Sequence, residues 1–269
     1  MEIFVIGAIL FFCIGIVLSL IGSGGAILTI PVLVYVFDVN PYWATSYSMF
    51  IMGISNWIAT IDNIKRQHIL YRLGLYFAVP GLIVTYIIRR FILPVIPDII
   101  FENSLIIISK GNVIMLVFSL LILTAAIKTL KSKEIETKLF VSRNYTKNIL
   151  QGAGIGLVTG FVGAGGGFLI VPALIFTTGI QLTNAIATSL FVISITTTLG
   201  FLGDFNSSVE INWKLLFFCT VCSALGVITA NSIKDKLSNK GLKFFFGYFI
   251  LALGILVFII EINKLEIKI

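Results

Sequence analysis

Side chains able to bind or react are few in this sequence, and most of them fall in two matched sets. Gly22-Ser23-Gly24-Gly25 opens a stretch that ends at Pro31, and 141 residues later Gly163-Ala164-Gly165-Gly166-Gly167 opens one that ends at Pro172. Thr45, Ser46 and Ser48 follow the first set; Thr188 and Ser189 follow the second. Glycine takes φ > 0 without strain and can break a helix. A break inside a membrane exposes N–H and C=O groups that must find partners. The helix that starts there turns free N–H groups and a positive dipole end toward the break, which suits an anion. The expected chemistry is therefore binding rather than catalysis. An anion is held by backbone at Gly22, Ser23, Gly24, Gly25, Gly163, Gly165, Gly166 and Gly167, with hydroxyls of Ser23, Thr45, Ser46, Ser48, Thr188 and Ser189 beside it. Close helix packing is the plainer use of glycine. Two clusters at matched positions, each bounding a short apolar segment, favour the break.

Ionisable residues inside apolar segments are functional suspects, and here they are scarce. Asp62 and Asp204 end corresponding segments and are candidates for proton coupling, against the plainer role of boundary residues. Arg72 and Lys214, each after an aromatic residue, read as interface anchors. Arg89 and Arg90 fall near a membrane face, where long side chains snorkel to water. No basic residue is expected deep at the breaks. Cys13, Cys219 and Cys222 lie in apolar segments with no ligand set around them, so no metal site is expected. His68, the single histidine, sits in a basic loop. The glycine runs lack the Gly-Lys-Ser/Thr of a phosphate loop and the strand-turn-helix setting of a dinucleotide fold. Neither a cofactor nor an enzymatic activity is expected.

The elements that must position these residues are apolar. The chain has 269 residues, of which 58% are hydrophobic and 12% charged, against about 25% charged in soluble domains; its mean hydropathy is +1.08. Membrane spans need roughly 20 apolar residues. Five segments per half emerge, at 3–20, 26–37, 42–61, 70–88 and 111–130, then 148–162, 168–178, 182–202, 213–232 and 243–260. The second of each half is too short to cross alone, so the first two of each half form a hairpin or broken helix folded at the glycines. The net charge of +7 comes from short loops between spans, as the positive-inside rule requires. No nucleic-acid partner is implied, and the oligomeric state is not legible.

Loop charge bears on how the halves face. The loop at 62–68, with Arg72 following, is basic, whereas its counterpart at 204–210 is acidic. Opposite charge at matched loops fits opposite membrane sides. The expected fold is all-α and integral to the membrane, with two inverted repeats of four to five helices. Their glycine-broken hairpins are expected to meet near the bilayer midplane. Residues 1–130 form the first repeat, 131–147 a basic cytoplasmic linker, and 148–269 the second repeat.

The doubled motif resembles the TauE/SafE family of sulfite exporters and toluene sulfonate uptake permeases. The resemblance rests on Ile21–Pro31 with Ala44-Thr45-Ser46, and on Phe161–Pro172 with Ala187-Thr188-Ser189-Leu190. It covers nearly the whole chain. It implies a multi-pass plasma-membrane transporter for sulfite, organosulfonates such as sulfoacetate or taurine, or related anions. Substrate and direction differ among members. The first motif departs from the fuller glycine run at Ser23 and Ala26, so the two half-sites need not be equivalent. An accessory membrane subunit or an anion channel are the competing expectations.

Overall fold

The computed structural model describes residues 2–21, 25–102, 107–131, 145–163, 167–204, 211–233 and 239–265. Ten α-helices stand among them: α1 (Glu2–Ile21), α2 (Gly25–Tyr35), α3 (Pro41–Lys65), α4 (Tyr71–Ile87), α5 (Lys110–Lys131), α6 (Tyr145–Val162), α7 (Gly167–Thr178), α8 (Leu182–Asp204), α9 (Trp213–Ile233) and α10 (Asn239–Leu265). Among the described residues, six helical stretches are long and apolar enough to cross a membrane: Glu2–Ile21, Tyr71–Val95, Lys110–Ile127, Leu182–Asp204, Trp213–Ser232 and Gly247–Lys264. The protein is thus an all-α, multi-pass membrane protein. Large apolar side chains such as Ile9, Leu75, Leu120, Leu150, Leu225 and Leu256 are exposed around its girth, as a lipid-facing surface requires.

α3 is the longest helix of the first half, yet it is not among those six stretches. Its sequence is too polar, because most of α3 is buried in the bundle and only one side, with Ile54, Trp57, Ile61 and Ile64, is exposed. Thr45, Ser46, Ser48, Ser55, Asn56, Thr60 and Asn63 are all buried on it. Asn40 caps its start, accepting from the Tyr42 N–H, and Pro41 occupies the first turn, where a missing N–H costs nothing.

The helices pair across the middle of the chain. α1 lies on α9 and α4 on α6, while α3 packs on α8 and α5 on α10. Glycines let the backbones close up. A Cβ on Gly152 would stand 2.6 Å from the Phe77 carbonyl, and one on Gly156 would strike Gly81. Gly15 meets the Ser223 backbone at the corresponding place of the other pair. Directions follow from the contacts. Ser46 reaches Asp204, Phe50 stacks edge-on to Phe201, and Gly53 faces Thr197 and Thr198, so α3 and α8 run antiparallel. Asn112 bonds to Glu261 and Gly254 packs on Ile122 and Leu123, so α5 and α10 run antiparallel too.

The stretch between α4 and α5 departs from the all-helical expectation. α4 continues as a π-helical turn, Ile88–Ile92, and a 3-10 turn, Leu93–Val95. A small antiparallel hairpin follows, β1 (Ile99–Glu102) on β2 (Ile107–Ser109), with a register shift between Ile99 and Phe101. Lys110 fastens this corner. Its Nζ donates to the carbonyls of Leu93 and Ile96, pairs with Asp98 at 3.4 Å and sits over the Tyr42 ring.

Candidate anion site at the second glycine break

α6 ends at Val162, and Gly163 follows with φ +73. That left-handed value is routine for glycine and strained for other residues. Space enforces the same choice: a Cβ on Gly163 would stand 2.6 Å from Arg89 Nη2 and 2.6 Å from the Thr45 carbonyl oxygen, and would strike Thr45 Cβ. A basic side chain therefore does lie deep at a break, contrary to expectation. Arg89 does not snorkel: it is 0% exposed and heads the largest fully buried side chains. The hydropathy segment ends at 88, but α4 continues in its π turn and carries the guanidinium back into the protein. π turns are frequent at functional sites.

Three elements meet at this guanidinium. Arg89 Nη1 lies 2.8 Å from Asp204 Oδ2, at the end of α8. It also donates to Ser46 Oγ at 3.1 Å, in the first turns of α3. Ser46 Oγ in turn donates to Asp204 Oδ2 at 2.6 Å. Among the described residues, Arg89 Nε and Nη2 and Asp204 Oδ1 find no hydrogen-bond partner. Leaving buried charged groups half-satisfied is costly. A second buried carboxylate shows the contrast. Glu261 accepts from Tyr35 Oη, Asn112 Nδ2 and Lys264 Nζ, so both of its oxygens are engaged.

The remaining expected site residues are dispersed. Gly22, Ser23, Gly24, Gly165 and Gly166 lie outside the described residues. Gly25 opens α2, packed tightly on Ile14 and Leu18 of α1, and Gly167 opens α7. Thr45 turns its hydroxyl back to the Tyr42 carbonyl. Ser48 is buried, with its hydroxyl unpartnered among the described residues. Thr188 and Ser189 stand at the far end of α8 from Asp204; Thr188 accepts from the Leu70 N–H, and Ser189 donates to the Ile186 carbonyl. Asp62 forms a partly exposed i,i+4 pair with Arg66 at 3.0 Å, a setting unlike that of Asp204.

The flanks of the two breaks also fail to converge. Gly163 touches Thr45 at the start of α3. Ser19, near the end of α1, bonds to Asn231, whose carbonyl accepts from Arg66 just past the end of α3. Thr45 and Arg66 are about 30 Å apart along a helix rising 1.5 Å per residue. The return helices α2 and α7 do touch, but their N-terminal ends are set toward opposite ends of α3.

Two further buried polar atoms on α3, Asn56 Oδ1 and Thr60 Oγ1, lack partners among the described residues, as Ser48 Oγ does. They continue from the Arg89 end along a winding stripe of near-i,i+4 spacing. Their signal was present as polar residues in a segment otherwise suited to spanning. Arg89 was legible in the same way, as a charge inside the run 71–95 once that run is taken as one span.

A multi-pass helical bundle with an arginine–aspartate pair buried at a broken helix is the architecture of a membrane transporter rather than of a soluble binding protein. The model of the family "Sulfite exporter TauE/SafE" matches residues 7–257, and the chain belongs to that family. It is 28% identical over 253 residues to a "Probable membrane transporter protein" of Xylella fastidiosa strain 9a5c, covering 91% of this chain and 90% of the relative. It is 24% identical over 257 residues to the "Probable membrane transporter protein YunE" of Bacillus subtilis strain 168, covering 88% of this chain and 90% of the relative. No solved structure matches the chain.

Proposed function

We propose that the protein is a secondary transporter of small oxyanions, sulfur-containing by family, working by alternating access in the plasma membrane. The observation that carries this is the fully buried Arg89 against the left-handed Gly163. A cation kept out of water at a helix break, with donors unspent, suits an anionic passenger. The buried atoms of Ser48, Asn56 and Thr60 without a partner among the described residues extend a polar stripe along α3 from that point. To this side we assign Thr45, Ser46 and Gly163 by position, and Gly165, Gly166 and Gly167 by sequence. Gly22 to Gly25, Thr188 and Ser189 belong to its counterpart.

The two halves, 1–130 and 148–269 about a basic linker, are read as inverted repeats. Support comes from the antiparallel run of the corresponding helices α3 with α8 and α5 with α10. Orientation follows from charge. The ends of α3, α5 and α9 share one face with the loop at 65–72, the linker and the loop at 234–243, all rich in Lys and Arg. That face is cytoplasmic by the positive-inside rule. The 204–210 loop, the hairpin and the outer ends of α1 and α10 are then external.

Counterflow in liposomes is the test. Labelled sulfite should accumulate transiently against an inside load of sulfite, sulfoacetate or taurine and saturate with concentration. Linear, unsaturable flux marks a channel, and no flux of any of these anions marks a non-transporting subunit.

A further inference from the structure

One edge of the Arg89 guanidinium has no partner among the described residues, and Asp204 occupies the other side. Of its five N–H donors, those on Nη1 face Ser46 Oγ and Asp204 Oδ2. Nε and Nη2, the side-on fork, have no partner among the described residues. That fork matches two oxygens of one oxyanion. Nη2 is also the atom that a Cβ on Gly163 would meet, so the fork opens toward the break. Asp204 leaves Oδ1 unpartnered, although a guanidinium can engage both oxygens of a carboxylate at once. The pair is therefore joined by one oxygen only.

Among the described residues the second half shows no such device. Counting from the corresponding Arg72 and Lys214, the position matching Arg89 is Asn231, which accepts from Ser19. The nearby cation there is Arg66, already paired with Asp62 and about 30% exposed.

We propose, resting on the transporter reading above, that the Nε–Nη2 edge of Arg89 is the principal anchor for the oxyanion head group. Asp204 is its intramolecular competitor, a built-in anion that keeps the guanidinium compensated when no substrate is present. Binding is then one-sided: the Gly163 side holds the charge of the passenger, and among the described residues the other side offers no buried cation like Arg89. Substrate arrival adds a second anion to one guanidinium and weakens the hold of Asp204. Loading the site thereby loosens a tie between the end of α8 and α4.

The experiment uses methanesulfonate, which presents a single sulfonate head, with chloride at equal ionic strength as the control. Thermal unfolding of the purified full chain in detergent reads binding. Asp204→Asn removes the competitor and should bind methanesulfonate about tenfold more tightly than the parent, with its lower starting stability rescued by the anion. Arg89→Lys keeps the charge, loses the fork and should bind at least about tenfold more weakly. The double variant Arg89→Gln with Asp204→Asn leaves no buried charge unpaired, so it keeps the test available if either single variant fails to fold. It should be monodisperse and give no anion response. Parent-like binding by Arg89→Lys or by the double variant overturns the proposal, as does an Asp204→Asn protein that gains no response. Sulfite counterflow by the parent, measured in parallel, separates the two levels. Flux that is indifferent to Arg89 sinks the anchor and leaves the transporter standing, whereas absence of flux sinks both.

Discussion

Arg89 and Asp204 join two helices, α4 and α8, through a contact of 2.8 Å that water does not reach. Removing one member of a buried pair strands the other. Asp204→Ala should therefore lower stability by about 3–5 kcal/mol. Replacing both, Arg89→Met with Asp204→Leu, should recover most of that loss while abolishing transport. Denaturation in detergent and liposome flux on the same preparations read the two effects.

Gly163 and Gly154 make a matched pair of substitutions. Gly163→Ala meets Arg89 and Thr45 at a φ of +73, so strain of about 1–2 kcal/mol adds to displacement of the guanidinium. Transport should fall at least tenfold. Gly154 has nothing within 4 Å of its would-be Cβ and lies inside α6. Gly154→Ala should keep full transport and gain up to about 1 kcal/mol in stability.

Ser46 holds the carboxylate that Arg89 also holds, at 2.6 Å. Ser46→Ala should cost about 1–3 kcal/mol, read by thermal unfolding, and should shift anion affinity. Ser194, on the same helix as Asp204, turns its hydroxyl to the Phe191 carbonyl of its own turn. Ser194→Ala should change affinity by less than about twofold, because a helix-internal back-bond adds little.

Proton coupling, expected of Asp62 or Asp204, divides between them on geometry. Asp204 is buried, with its fully buried partner Arg89, whereas Asp62 sits in a partly exposed pair with Arg66. Asp204→Asn should abolish accumulation driven by a pH gradient while exchange persists. Asp62→Asn should leave the pH dependence unchanged. Loss of coupling in Asp62→Asn alone would reverse the assignment.

Topology is testable by labelling single cysteines in intact cells after replacing Cys13, Cys219 and Cys222. Positions 65, 138 and 240 should react only after permeabilisation, and position 207 should react from outside. Reaction of 65 and 207 from the same side would rule out inversion.

The ten helices follow the ten apolar segments closely, since span length and hydropathy are local properties. The glycine stops after α1 and α6 are legible for the same reason. What the one-dimensional pattern hides is register between helices. Ser46 and Ser189 occupy the same motif, yet one faces Asp204 and the other turns to the Ile186 carbonyl at the opposite end of the bundle. Arg89 reads as a terminal residue because the apolar run pauses there. The π turn Ile88–Ile92 carries the helix past that pause and aims the side chain inward. The β1–β2 hairpin follows a stretch rich in Ile and Pro whose hydropathy matches that of a span end.

The pairing of α1 with α9 and of α4 with α6 has a mechanical consequence. Gly15 is seated on the Ser223 backbone and Gly156 on Gly81, so each pair is locked main chain to main chain across the linker. Under the proposed alternating access, the units to swing would be composite: one centred on α1 with α9, the other on α4 with α6. A hinge at the linker would have to tear both seams at once. On that reading the boundary between the proposed repeats and the boundary between moving units do not coincide, and a half expressed alone would lack one side of each seam.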